Sequence, residues 1–260
     1  MSYRRRALVL ALTIPAVLLL VAGLTVGAVS VLGHRVRAVP DQGVPGPVLL
    51  VPGYGGGTGG VDALAQRIRA TGREAVVVGL PDGGVGDLGR QADAVDQQVE
   101  AALAAGAPSV DLIGYSAGGV VVRLWAQEHD GVHKARRIIT LGSPHHGAEI
   151  AGVGTVTVPG LCPPACQQLA PGSRFLSALA TPVTTPPAWL AVWTSFDQTV
   201  KPPESGRLEG ALNVELQAVC PDVTVDHSGL PTNPVVTALV LRAIGVAPLD
   251  PPTAADCASS

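Results

Sequence analysis

Ser109–Trp125 reads SVDLIGYSAGGVVVRLW, and this stretch decides the fold. Val110-Asp111-Leu112-Ile113 reads as a strand, and Val120-Val121-Val122-Arg123-Leu124-Trp125 as the body of a helix. Between them Gly114-Tyr115-Ser116-Ala117-Gly118 matches G-x-S-x-G in the setting that pattern requires, strand before and helix after. A serine at the apex of so sharp a turn needs strained backbone angles, and the chain on either side passes very close. Gly114 and Gly118 remove the β-carbons that would collide. A helix starting at Ala117 aims unpaired N–H groups and its positive dipole end at Ser116, where a developing anion is stabilised. An ordinary buried turn in a glycine- and alanine-rich chain is the competing interpretation, and the partner residues decide between the two.

Working outward, strands and helices alternate. Val48-Leu49-Leu50-Val51 is a short, wholly apolar run suited to a buried parallel strand. Val61–Ala70 has helical spacing, Ala75–Leu80 reads as a strand, and Leu88–Ala105 as a helix ended by Gly106 and Pro108. Arg136–Leu141 and Ala188–Thr194 are further strands. Asn213–Val219 is predicted as a last strand and Asn233–Ile244 as a last helix. Such alternation with short connections means an α/β domain, its mainly parallel sheet covered by helices on both faces. Functional residues are then expected just beyond the carboxyl ends of strands.

Composition narrows the function classes. Of 260 residues, 47% are apolar and 14% charged, and the net charge of −3 gives no basic footprint for nucleic acid. Aromatic residues make up only 3%, too few for base-stacking platforms. Arg4-Arg5-Arg6 precedes an uncharged apolar run of about 26 residues, long enough to span a bilayer. Residues 1–37 are therefore expected to be a signal anchor, or a signal peptide cleaved near Val26-Gly27-Ala28 or Ala28-Val29-Ser30. Residues 38–47, AVPDQGVPGP, read as a linker, and residues 48–260 as the catalytic domain. Either reading of the leader exports that domain, membrane-anchored if the leader is kept and secreted if it is cleaved. The four cysteines then favour disulfides, Cys162–Cys166 in a proline-rich loop and Cys220–Cys257 pinning the tail. No histidine falls at finger-like spacing to make them a zinc site.

A serine becomes a useful nucleophile when a neutral imidazole takes its proton and a carboxylate stands behind the imidazole. His34, His129 and His133 are expected in solvent. His145 and His146, in Gly142-Ser143-Pro144-His145-His146-Gly147, follow a strand end and are candidates to line a pocket. His227 lies in a loop before the last helix and fits the chain order nucleophile, acid, histidine. Asp197 ends the Ala188–Thr194 strand and stands upstream of His227; Asp222 and Asp226 are alternatives that could simply cap a loop. Pro52-Gly53-Tyr54-Gly55-Gly56-Gly57 lacks the Gly-Lys-Ser/Thr of a phosphate loop. It suits a backbone N–H donor instead, and Tyr54 N–H is the candidate.

Together, Val51–Gly56, Gly114–Gly118, Leu141–Gly147, Thr194–Val200 and Asp226–Leu230 resemble the bacterial extracellular triacylglycerol lipases and esterases of the α/β-hydrolase fold. The resemblance implies a serine hydrolase of lipid or acylglycerol esters that works through an acyl-enzyme on Ser116. It implies Ser116, Asp197 and His227 as the triad, and the Tyr54 and Ala117 N–H groups as the oxyanion hole. It implies no metal or organic cofactor, a small-molecule or lipid ester as substrate, a monomer, and contact with the membrane only through an uncleaved leader. Pro52 stands where the family commonly has His before its glycine. An acyltransferase would use the same acyl-enzyme, a peptidase or haloperoxidase the same triad, and a silent membrane-tethered binding protein the same fold. Residues 150–187 are long and proline-rich and read as a pocket wall or small lid. Leu161, Leu169, Phe175, Leu176 and Leu179 are expected either to make an acyl-binding surface or to pack on the domain.

Overall fold

A computed structural model describes residues 37–152, 161–179 and 182–258. Val48–Val51 (β1), Ala75–Val77 (β2), Val110–Tyr115 (β3), Ala135–Leu141 (β4), Ala188–Trp193 (β5) and Leu212–Glu215 (β6) form one six-stranded sheet. Its order is β2-β1-β3-β4-β5-β6 and every pairing is parallel. The crossovers carry the helices Gly59–Ala70 (α1), Leu88–Ala104 (α2) and Ala117–Glu128 (α3). Two five-residue helices, Pro164–Gln168 (α4) and Arg174–Ala178 (α5), lie before β5, and Pro234–Ala243 (α6) closes the chain order. Residues 39–260 cluster as one unit.

Strand side chains alternate between faces, so both faces need cover when every position is apolar. Leu49 and Val51 of β1 pack with Leu112, Ile138 and Ala191 beneath α2 and α3. Val48 and Leu50 face the other way and pack with Ile113, Ile139 and Val192 beneath α1 and α6. β1, β3, β4 and β5 thus supply both cores, which is why β1 and β4 read as unbroken burial. The helix starts carry their sequence signals. Asp87 accepts from Arg90 N at 3.1 Å ahead of α2, and Asn233 accepts from Val235 N and Val236 N at 3.0 and 3.2 Å ahead of α6.

Two strands are shorter than the residue pattern predicts. The Ala75–Leu80 run pairs as a strand only through Val77, although Val78 N still donates to Leu50 O at 2.8 Å. The Asn213–Val219 run is a strand only to Glu215, and Leu216–Val219 makes a helical turn. That turn is closed by Cys220 N donating to Leu216 O at 2.7 Å, with both residues buried.

At the amino-terminal edge of the sheet, Asp111 is wholly buried against arginines. Arg136 bonds both its oxygens at 3.0 and 2.5 Å, and Arg73 adds a contact of 2.8 Å. Arg136 also donates to Gly245 O at 2.7 Å, and Arg137 to Ala243 O at 2.5 Å and Ala247 O at 2.6 Å. Cations thereby meet the carbonyl end of α6 and tie it to β3 and β4. The cysteines pair as Cys162–Cys166 and Cys220–Cys257, with Cα separations of 5.4 and 5.5 Å. Such bonds fit a protein outside the cytoplasm. The leader expected over residues 1–37 lies, but for its last residue, outside the described residues. Among the described residues no helix is long and apolar enough to cross a membrane.

Candidate active site

Ser116 sits between β3 and α3 with φ 53° and ψ −127°, a conformation L side chains rarely adopt. Holding it costs on the order of 1–3 kcal/mol, so the surroundings must fix it. They do so through close packing. A β-carbon on Gly114 would lie 2.5 Å from Gly118 O, and one on Gly118 would lie 2.3 Å from Val51 O. The end of β1 therefore passes against the turn, and Ser116 N donates to Leu141 O of β4 at 2.8 Å.

The chain just after β5 carries Asp197, and the loop before α6 carries His227. Asp197 follows β5 and is buried; its Oδ1 accepts from Thr199 N and Val200 N at 2.8 and 2.7 Å. Its other oxygen, Oδ2, stands 2.6 Å from His227 Nδ1, and His227 Nε2 stands 2.9 Å from Ser116 Oγ. The structure thus brings Ser116, Asp197 and His227 into one hydrogen-bonded line. With Nδ1–H donated to the carboxylate, the free Nε2 lone pair is aimed at the hydroxyl, and such a line can move the serine proton to the imidazole. Asp222 and Asp226 take no part. Both are exposed, and Asp226 accepts from Ser228 Oγ and Gly229 N at 2.9 and 2.8 Å to hold its own turn. Those two bonds, the Gly229 N–H first, lower the Asp226 carboxyl below its ordinary value.

The loops that carry the acid and the base are tied together by residues the sequence pattern does not single out. Thr194 Oγ1 donates to Val225 O at 2.8 Å. Gln217 bridges the same two loops, accepting from Ser195 N at 2.9 Å and donating to Val223 O at 2.8 Å. Tyr115 lies 5.2 Å from His227, ring centre to ring centre, and its hydroxyl donates to His227 O at 3.2 Å. Burial first, then the charges of Asp197 and Asp226, push the Tyr115 phenol up to about 12, so it stays a donor at working pH. Gly142, at φ 56°, completes the packing. A β-carbon there would lie 3.2 Å from His227 Nδ1.

Tyr54 follows β1 and Ala117 opens α3, on either side of the serine. Neither backbone N–H donates to a backbone or side-chain acceptor among the described residues. A β-carbon on Gly53 would approach Ser116 Cβ to 2.9 Å, which measures how closely this loop crosses the serine. Both residues also border an apolar cleft of about 320 Å³ that opens on Ser116. Its walls include Pro144, Ala148, Ala151, Leu169 and Val200, and no charged side chain lines it.

His145 and His146 do not line this cleft. His145 points inward, only 1% exposed, with Nε2 at 3.1 Å from Thr140 Oγ1. Burial, reinforced by the Arg123 guanidinium and by His146, holds its imidazole well below the ordinary value, so it is neutral. His146 points to solvent, where Nε2 donates to Arg207 O at 3.1 Å. Successive residues at a strand end diverge, which is why a His-His pair cannot have both rings in one pocket wall here. The expected acyl-binding leucines also divide. Leu169 lines the cleft, Leu176 and Leu179 are packed into the core with Phe175 against it, and Leu161 is 79% exposed. Among the described residues no group of three or more His, Cys, Asp or Glu side chains is arranged to hold a metal ion.

The sequence profile of a family described as Palmitoyl protein thioesterase matches residues 47–185. No curated protein matches the chain. Among solved structures, lipase B of Aspergillus fumigatus superposes with a TM-score of 0.64 at 19% identity, over 81% of this chain and 55% of that one. The mature lipase BlEst2 of Bacillus licheniformis gives a TM-score of 0.64 at 18% identity, over 81% of this chain and 96% of that one. The lin2722 gene product of Listeria innocua gives 0.53 at 14% identity, over 77% and 94%. The chain thus spans little more than half of the Aspergillus enzyme but nearly all of the Bacillus one. These likenesses are of fold, the α/β-hydrolase fold that the sheet order and crossovers describe.

Proposed function

The chain belongs to the Palmitoyl protein thioesterase family, and from that premise we propose that it is a serine hydrolase that cleaves carboxylic esters through an acyl-enzyme on Ser116. The observation that carries the reading is the unbroken line Asp197 Oδ2, His227 Nδ1, His227 Nε2, Ser116 Oγ, with steps of 2.6 and 2.9 Å. Ser116 Oγ attacks the ester carbonyl as His227 Nε2 takes its proton, and Asp197 holds the imidazole tautomer and offsets the charge of the imidazolium. The tetrahedral oxyanion accepts from Tyr54 N–H and Ala117 N–H, each a contribution of about 2.7–4 kcal/mol in comparable sites. The carbonyl reforms, the C–O bond to the alcohol breaks, and His227 returns its proton to the leaving oxygen. Water, deprotonated by the same imidazole, then releases the acid.

An apolar cleft with no charged lining, next to the serine, supports an uncharged hydrocarbon acyl group. The family description gives a specific reason to include acyl thioesters among the substrates, since a thiolate leaves from the same tetrahedral intermediate. The two disulfides support an exported enzyme, with residues 1–37 as its signal or membrane anchor, residues 38–47 as linker and residues 48–260 as a monomeric catalytic domain.

The test is hydrolysis of p-nitrophenyl esters and of matched acyl thioesters by the purified chain, with Ser116→Ala and Asp197→Asn beside it. Turnover should vanish in Ser116→Ala and fall by about 10⁴ in kcat in Asp197→Asn, where the tautomer is lost. Turnover that survives Ser116→Ala would refute the assignment, and turnover only with an added alcohol would assign acyl transfer instead.

A further inference from the structure

His227 is carried by a loop with no ladder of its own. Residues 221–229 lie in neither helix nor strand, and Asp197 stands 30 positions earlier, on the turn after β5. Among the described residues no main-chain hydrogen bond joins residues 194–197 to residues 223–227. Val225 and Leu230 sink into the core, which holds the base loop to the domain. Apolar burial has no direction, whereas the contact between Asp197 and His227 needs one.

Besides the triad itself, two side chains cross between these loops. Thr194 is wholly buried just past β5. Its hydroxyl donates to Val225 O at 2.8 Å and accepts from Phe196 N at 3.2 Å and Gln217 Nε2 at 3.0 Å. Gln217 is half-buried on the turn Leu216–Val219. Its Oε1 accepts from Ser195 N at 2.9 Å, and the second Nε2 proton goes to Val223 O at 2.8 Å. A hydroxyl has one proton and an amide nitrogen two, so every donor of the pair is used on these loops. Flipping the amide would set Nε2 against the Ser195 N–H and Oε1 against Val223 O, so its orientation is forced. The turn beneath is fixed as well. Cys220 N closes it on Leu216 O at 2.7 Å, Cys220 O accepts from Val223 N at 3.1 Å, and Cys220 is bonded to Cys257.

Granting the serine-hydrolase reading above, we propose that Gln217 is a positioning residue: bridged to Thr194, it sets the separation of the acid and base loops and so keeps His227 in line between Asp197 and Ser116. The bridge meets each loop two residues before its catalytic side chain, at Ser195 before Asp197 and at Val225 before His227. Over so short a lever, slack in the bridge passes directly to the 2.6 Å contact between acid and base. Neither Gln217 nor Thr194 borders the cleft beside Ser116. Slack therefore acts on proton transfer and leaves ester binding alone, which separates kcat from KM.

The experiment measures kcat and KM for p-nitrophenyl butyrate with the full chain and with Gln217→Leu, Thr194→Val, Thr194→Ser and the double variant Gln217→Leu/Thr194→Val. In parallel, proton NMR follows the downfield resonance of the Nδ1 proton that His227 shares with Asp197, recorded in the Ser116→Ala background, and thermal melts report folding. Gln217→Leu and Thr194→Val should each lower kcat by about tenfold to a hundredfold, with KM within about twofold of wild type. Thr194→Ser keeps the hydroxyl and should hold kcat within about threefold. The double variant should fall little below the worse single one, because both cut the same bridge. The Nδ1 resonance should move or broaden in Gln217→Leu and stay in Thr194→Ser. Wild-type kcat in folded Gln217→Leu protein, a loss carried by KM, or an unmoved resonance overturns the bridge. Should Gln217→Leu fail to fold, the Val and Ser variants of Thr194 decide, and equal kcat in those two overturns it. If no ester is turned over, the hydrolase reading falls, and the resonance alone then upholds or overturns the bridge.

Discussion

Replacing His145 by Asn should flatten the acid limb of the protein's stability. His145 is buried and its Nδ1 has no hydrogen-bond partner among the described residues. Burial above all, then the facing Arg123 guanidinium and the adjoining His146, keep the imidazole neutral in the fold. The sign follows from linkage. The folded-state pKa lies below the unfolded one, so below about pH 6.5 the unfolded chain binds a proton that the folded chain does not. Stability from this group is complete above that pH and is lost as pH falls. A single such proton has a limiting slope of about 1.4 kcal/mol per pH unit, which gives at most roughly 2 kcal/mol between pH 7.5 and pH 5. Urea unfolding of both proteins at these two pH values measures it. The absolute stability of His145→Asn is not the readout, because a buried amide has its own cost; the readout is the pH-dependent difference, in which every other group cancels. Wild-type protein should lose more than the variant on acidification, by up to about 2 kcal/mol. Equal losses would refute the reasoning and mean that the imidazole is charged, or reaches water, in the folded protein.

Other outcomes follow from the same geometry. Tyr115→Phe keeps the ring against His227 but removes the bond to His227 O, so kcat/KM should fall by about threefold to tenfold, the worth of one ordinary hydrogen bond. Tyr115→Ala should cost more, and an equal effect of the two would deny the hydroxyl a role in placing the base. Loss of Cys220–Cys257, which closes a separation of 37 residues, should cost about 3.8 kcal/mol on the chain-entropy estimate. The short Cys162–Cys166 loop should cost about half of that, and thermal melts of the two paired Cys→Ser variants should rank them so. His146→Ala should leave ester turnover within about twofold of wild type, whereas His227→Ala should lower it by at least a hundredfold. The reverse order, read in the same assay, would move the base to the Gly142–Gly147 loop.

What the sequence made legible is what sterics and burial write directly into residue identity. Gly114 and Gly118 are glycine because a β-carbon at either would meet backbone at 2.5 Å or less, so the turn at Ser116 could be read from five residues. The runs in β1 and β4 are apolar on both faces because helices cover both faces. Chain order and strand ends were enough to nominate Asp197 and His227, which the fold brings to Ser116. Polar residues that act by position were not legible. Thr194 and Gln217 hold the acid loop to the base loop, yet nothing in their identity names a partner 20 or 30 residues away. Asp111, inside the Val110–Ile113 strand run, is the centre of a buried arginine cluster, and its identity names none of those partners. The direction in which His145 and His146 point depends on the backbone after β4, and the short end of β6 depends on which side of Leu216 is buried. Both are tertiary facts that a residue pattern does not carry.

The most direct measurement is active-site labelling with a fluorophosphonate, followed by intact-mass and peptide mass spectrometry. The account predicts one adduct per chain, carried on Ser116, absent from Ser116→Ala and slowed by at least about a hundredfold in His227→Ala. An adduct on another residue, or wild-type labelling at the rate of the His227→Ala protein, would contradict it.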